Sequence, residues 1–191
     1  ALRLAELVLR ATSVEHETGG VAVNGFLLDM PKLFEDFVTV ALREGLVSAH
    51  GGRVDDQDRN HFDEAGQVRL RPDIVWKLRG SPVAVIDAKY KAEKPAGYPN
   101  ADLYQLLAYC TVLGLRSGHL VYAKGNEEPG HHVVRRSGIE IFCHALDLDQ
   151  QPEAMIHQMR NLAAAIAMRA EEGAGEESHG SFGKIRRRAT A

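Results

Sequence analysis

The stretch Val83-Ala84-Val85-Ile86 runs straight into Asp87, and no other feature restricts the fold of this chain so tightly. Four successive small or branched apolar residues are apolar on both faces of an extended strand. Such a strand belongs inside a sheet that is covered on both sides. Aspartate is disfavoured in strands, and a carboxylate carried into an apolar interior is costly without a partner. The neighbouring segment repeats the oddity, because Asp73 leads directly into Ile74-Val75-Trp76. Two strands are expected, over 68–78 and 82–90, joined by Arg79-Gly80-Ser81. Gly80 lies midway between positions 73 and 87, so an antiparallel hairpin centred there sets the two aspartates face to face. Directly opposed residues share a face, with Cβ atoms roughly 4.5–5.5 Å apart. Lys89, two residues beyond Asp87, points the same way. A slip of one residue would send the aspartates to opposite faces.

Two carboxylates held that close repel each other unless one keeps its proton or a cation lies between them. Magnesium suits the second solution, since it favours one or two carboxylates with waters and phosphate oxygens completing its shell. A lysine beside such an ion can position or activate an attacking water and favour negative charge on phosphorus. The bland alternative is a pair of strand-end aspartates, solvated or paired with Arg71 and Lys89.

The rest of the chain frames this hairpin. Residues 2–12 have helical spacing, Gly19-Gly20 break the chain, and 21–28 read as short strands around Asn24-Gly25. Pro31 opens a helix over 31–44 that Gly45 is expected to stop. A strand is expected over 46–54 and a polar loop over 55–66. Asn100 is expected to cap a helix over 101–113, followed by a strand over 118–124 and one or two strands within 133–147. Pro152 starts a last helix to about residue 171. The order of helix, strands, helix, strand, helix indicates an α/β fold, a mixed central sheet flanked by helices. Three regions are expected: 1–30 as a helix and short hairpin leading in, 31–171 as the domain carrying the site, and 172–191 as a disordered tail.

The chain has 191 residues, of which 45% are hydrophobic and 26% charged, enough for one domain with a real core. No apolar run approaches the ~20 residues needed to cross a bilayer. The first residue is Ala1 and no signal-peptide pattern follows, so the sequence reads as a piece of something longer. The formal net charge is −3, which does not indicate a globally basic nucleic-acid binder. The charges are unevenly placed, however. Between positions 69 and 94 there are seven basic residues and three acids, while 55–64 holds five acids. A basic rim about an acidic centre suits phosphate chemistry, and a solvated surface is the plainer reading. Cys110 and Cys143 sit in apolar stretches and are expected to be buried free thiols, which fits a reducing cytoplasm. His131, His132 and His144 form no zinc pattern. The basic run Lys184-Ile185-Arg186-Arg187-Arg188 reads as DNA-adhering or merely solvated.

Arg71-Pro72-Asp73-Ile74-Val75 and Val85-Ile86-Asp87-Ala88-Lys89-Tyr90-Lys91 resemble the PD-(D/E)xK nuclease signature. With Met30-Pro31-Lys32-Leu33-Phe34-Glu35-Asp36-Phe37-Val38 and Asn100-Ala101-Asp102-Leu103-Tyr104-Gln105-Leu106-Leu107-Ala108-Tyr109, the chain is more specifically similar to McrC, the nuclease subunit family of McrBC modified-cytosine restriction systems. The resemblance covers about half of the chain, over 26–124. It implies a restriction-endonuclease-like core and a magnesium-dependent endonuclease acting on methylated DNA, with manganese able to substitute. Asp73 and Asp87 would then be metal ligands, the Ala88 carbonyl a further ligand and Lys89 the catalytic lysine. It also implies work with McrB, an AAA+ ring that hydrolyses GTP. This chain has no G-x-x-x-x-G-K-[ST] loop, so no nucleotide is expected on it. Nor is a small-molecule substrate or a membrane expected.

Glu35 is read as a rim carboxylate or as the helix acid that related nucleases bring to the metal. Gln105 and Tyr109 are one helical turn apart, share a face, and look like the Q-x-x-x-Y element of some nucleases, which would hold DNA. Lys91 and Arg71 are candidate phosphate contacts. Two other readings stay open: a repair exonuclease of the RecB or Cas4 type, and a catalytically silent module that binds DNA or stimulates a GTPase. Two cysteines cannot supply the four that some such exonucleases use for an iron–sulfur cluster.

Overall fold

A computed structural model describes residues 13–18, 21–26, 28–58, 60–90, 100–123 and 130–180. The helix expected over 2–12, Lys91 and the basic run at 184–188 lie outside the described residues. Among the described residues ten strands and three helices follow in order: β1 (Ser13–Thr18), β2 (Val21–Phe26), α1 (Met30–His50), β3 (Arg53–Asp56), β4 (Asn60–His61), β5 (Arg69–Leu70), β6 (Ile74–Leu78), β7 (Ser81–Lys89), α2 (Asn100–Leu113), β8 (Ser117–Ala123), β9 (Gly130–Val133), β10 (Glu140–Leu146) and α3 (Pro152–Gly180). The central sheet has six strands in the order β3-β6-β7-β8-β10-β9. β7 and β10 run parallel to β8, and the remaining pairings are antiparallel, so the sheet is mixed as expected.

Helices cover both faces of the sheet. On one face α1 and α3 bury Phe34, Val38, Leu42, Leu46, Met159 and Ile166 against Ile74, Trp76, Ile86 and Val121. On the other, α2 sets Leu106, Tyr109 and Cys110 on Val75, Val85, Leu120 and Ile141. The run 83–86 therefore divides its side chains between two cores, which explains why it is apolar throughout. Cys110 and Cys143 are both buried and free, as expected. Burial pushes each thiol up to about 12.

Several expected boundaries give way to packing. β1 pairs antiparallel with β2, with Thr18 opposite Val21, and Asn24-Gly25 lies inside β2 and not at a turn. α1 does not stop at Gly45 but continues to His50 and ends at Gly51, whose N–H donates to the Val47 carbonyl at 3.0 Å. Gly45 is a point of close approach: a Cβ there would lie 2.8 Å from the Ala163 Cβ on α3. The strand expected over 46–54 shrinks accordingly to β3. Gly45→Ala is expected to lower stability by about 1–3 kcal/mol despite the better helix propensity of alanine, because the helices must part. Urea unfolding measures this, and a more stable variant would show that α1 and α3 are not in such contact. The loop expected over 55–66 contains β4, which pairs with β5. α3 runs on to Gly180, beyond the expected end near residue 171 and into the stretch 172–191 expected to be a tail.

The hairpin that matters departs from its expected route yet reaches the expected register. Its turn is the two-residue Arg79-Gly80, with Leu78 opposite Ser81. Both turn residues have positive φ, 52° and 88°, as a I′-type connection requires. Continued regularly, that turn would oppose Asp73 to Ile86. A bulge intervenes: Lys77 faces Pro82, Trp76 faces Ala84, and Val83 is the extra residue. Beyond it Ile74 faces Ile86, which leaves Asp73, just ahead of β6, beside the end of β7, where its side chain meets the Ala88 N–H.

Candidate active site

Asp87 stands at the carboxyl end of β7 and is only 1% exposed. It points to the α2 side of the sheet, where the bulged register also brings Asp73. Asp73 Oδ2 accepts a hydrogen bond from the Ala88 N–H at 2.9 Å, which ties the start of β6 to the end of β7. Lys89 Nζ lies 2.5 Å from Asp87 Oδ2, with its side chain 20% exposed. This is an ionic contact, and no donor meets that buried oxygen with good hydrogen-bond geometry. The structure thus brings Asp73, Asp87, Ala88 and Lys89 together.

The electrostatics follow from this crowding. Burial, then the neighbouring Asp87 charge, pushes the Asp73 carboxyl up to about 7. Burial also raises Asp87, against the pull of Lys89. For Lys89, burial works downward, but Asp87, Asp73 and Asp102 outweigh it and hold the amine above its ordinary value. Paired carboxylates kept from ionising freely are the arrangement that a divalent ion relieves. Among the described residues no group of three or more His, Cys, Asp or Glu side chains could hold a metal ion. Two carboxylates and a backbone carbonyl fit magnesium, which keeps several waters, better than a closed protein cage.

Glu35, on the first turns of α1, is brought to the edge of this site. Its charge contributes to raising Asp73. Its side chain, 22% exposed, accepts from Lys32 Nζ at 3.0 Å and from Gln57 Nε2 at 3.2 Å. Arg71 is exposed and donates through Nη2 to Gln57 Oε1. On α2, Gln105 Nε2 donates to the Tyr109 hydroxyl at 2.8 Å, and that hydroxyl donates to the Arg71 carbonyl at 3.2 Å. The two residues share a face as expected, but Tyr109 is buried while Gln105 is exposed. Burial and the two aspartates push the Tyr109 hydroxyl up to about 12.

Sequence reasoning missed two parts of this neighbourhood. Asp102 reads as an ordinary acid in a first helical turn, yet it is buried, accepts from the Tyr122 hydroxyl at 3.1 Å, and acts on Asp87 and Lys89 through its charge. Gln57 lies in what reads as a featureless polar loop, and only its left-handed φ of 52° marks it out. The acids around it are largely spoken for: Lys77 meets Asp55 at 3.1 Å and Asp58 at 2.8 Å, and Arg43 meets Asp56 at 3.1 Å. Lys77 is therefore held by ion pairs and is not a free member of the expected basic rim.

Among the described residues the histidines make no such centre. His131 pairs with Glu140 at 2.6 Å on the surface. His144 meets the buried His119 ring at 3.1 Å, with burial depressing both, His144 to about 4.

A family model described as a McrBC 5-methylcytosine restriction system component matches residues 1–123. A chain from the refined half-complex of the tetradecameric assembly of Thermococcus gammatolerans McrB AAA+ hexamers with bound McrC is similar in fold, with a TM-score of 0.59 at 19% identity. The match covers 75% of this chain and 34% of that chain, so this chain spans about a third of that neighbour's length. No curated protein matches. No helix among the described residues is long and apolar enough to cross a membrane.

Proposed function

Because this chain belongs to the family of McrBC 5-methylcytosine restriction system components, we propose that it is a DNA-cutting part of such a system, a magnesium-dependent endonuclease domain acting on methylated DNA. The observation that carries the reading is the meeting of β6 and β7, where Asp73 Oδ2 accepts from the Ala88 N–H at 2.9 Å and the Lys89 amine lies 2.5 Å from Asp87 Oδ2.

Asp73, Asp87 and the Ala88 carbonyl would hold the magnesium, which when bound supplies Lewis-acid polarisation of a phosphoryl oxygen and acidifies a bound water. Lys89 stays protonated at neutral pH, so its part is to donate hydrogen bonds to the attacking water or to a phosphoryl oxygen. Water adds to phosphorus and one P–O ester bond breaks, leaving a phosphate on one end and a hydroxyl on the other. Glu35 faces this centre from α1 and is suited to orient water. The exposed Gln105 and Arg71 side chains are suited to hold the DNA backbone, with Tyr109 anchoring Gln105 from beneath, and Lys91, two positions after Lys89 in the sequence, is a further candidate for a phosphate contact. The chain lacks a nucleotide loop, so GTP hydrolysis falls to an McrB-like AAA+ ring of the kind found in the neighbouring solved assembly.

The test is cleavage of methylated duplex DNA by the full-length subunit with its ring partner, GTP and magnesium. Losing a metal ligand removes several kcal/mol of transition-state stabilisation, and at tenfold per about 1.4 kcal/mol this is on the order of a thousandfold. Asp87→Ala is therefore expected to cut at least that much more slowly. Cutting at the parental rate would end the proposal.

A further inference from the structure

Gln57 touches three of the residues assigned to the site. Its backbone N–H donates to the Asp73 carbonyl at 2.9 Å. Its Nε2 donates to Glu35 Oε1 at 3.2 Å, and its Oε1 accepts from Arg71. It follows the end of β3 at the sheet edge and holds a left-handed φ of 52°, a conformation that a residue with a side chain adopts at some cost. A glutamine is spent there although a glycine or asparagine would sit more easily. Its amide supplies what the position needs: a donor for a carboxylate and an acceptor for a guanidinium, on one short planar group.

We infer that Gln57 is a positioning residue of the cutting site, setting Glu35 and Arg71 in fixed relation to Asp73. The inference rests on the nuclease reading above and adds to it a residue that no motif marks. α1 and the β5–β6 connection belong to different parts of the chain, and nothing covalent relates Glu35 to Arg71. The Gln57 amide bridges them, while its own N–H locks it to the backbone of the metal-ligating Asp73. Groups that orient a catalytic side chain in this way are worth about 10–100-fold when removed.

Gln57→Gly separates positioning from folding. Glycine keeps the N–H bond to Asp73, accepts the left-handed backbone without strain, and removes both amide contacts. Thermal unfolding of the full-length chain is expected at the parental temperature or above. In the cleavage assay, kcat is expected to fall about tenfold with KM within about twofold. In a sample carrying 13C in its glutamates, the Glu35 carboxyl resonance is expected to move. Gln57→Gly cutting at the parental rate, or losing activity only in step with its melting temperature, would overturn the inference. So would an unmoved Glu35 resonance, whether or not the chain cuts DNA. Failure of the nuclease reading is read separately, from Asp87→Ala cutting as fast as the parent.

Discussion

At about pH 8, Asp73→Asn is expected to make the chain harder to unfold while abolishing the proposed DNA cutting. The Asp73 carboxyl is raised from 3.8 to about 7 by burial and by Asp87. A carboxyl whose folded value lies above its unfolded one favours the fold fully below the unfolded value. That contribution is lost as pH rises through the folded value, so the parent is weakest, as far as this group is concerned, above about pH 7. Asparagine removes the charge and keeps an oxygen able to accept from the Ala88 N–H. After allowing for solvent screening at a half-buried group, the gain is roughly 1–3 kcal/mol. The gain shrinks toward about pH 4, where the parental carboxyl is protonated as well. Millimolar magnesium is expected to raise the unfolding midpoint of the parent and leave that of the variant nearly still, since only the parent offers both carboxylates. Urea unfolding at the two pH values, with and without magnesium, measures all of this. A variant weaker than the parent at the higher pH would mean that the two carboxylates do not oppose each other.

That such a pair exists was legible in the primary structure, though for an incomplete reason. Asp87 behind an unbroken apolar run and Asp73 ahead of another mark carboxylates carried to the edge of a buried sheet, and the spacing about Gly80 pairs them. The spacing works only because two irregularities cancel. The turn at Arg79-Gly80 is centred half a residue early, and the extra residue at Val83 restores the step. The local sign of that bulge is Pro82, which has no N–H for the ladder and is tolerated at a strand start or a bulge, but it does not say which neighbouring residue is the extra one. Gly45 shows the same limit from the other side. Helix punctuation is its commoner meaning, and only the presence of Ala163 across the interface makes it a contact. Asp102 and Gln57 escaped because their roles depend on what the fold lays beside them. An aspartate in a first turn and a glutamine in a polar loop are typical of exposed positions, and their partners Tyr122, Glu35 and Arg71 are remote in sequence.

Lys89→Met should also abolish cutting, but with the opposite effect on stability. The Lys89 amine is the cation that meets Asp87 Oδ2 at 2.5 Å, and Asp87 is almost wholly buried. Removing one partner of a buried pair leaves an uncompensated charge, which typically costs 3–5 kcal/mol. Lys89 retains some exposure, so roughly 2–3 kcal/mol is expected at neutral pH. The cost depends on pH in a defined direction. Without Lys89 the folded value of Asp87 rises further above its unfolded one, so the penalty grows as pH rises and fades on acidification, when Asp87 takes up a proton. Lys89→Arg keeps a positive charge near Asp87 but cannot reproduce the reach of a compact amine, so it should recover most of the stability and little of the cutting. The three variants therefore separate chemistry from folding: Asp73→Asn inactive and more stable, Lys89→Met inactive and less stable, Lys89→Arg inactive at nearly parental stability. General damage to the fold would drive activity and stability down together in all three. A Lys89→Met chain that unfolds at the parental urea concentration and still cuts DNA would remove the amine from both the ion pair and the reaction.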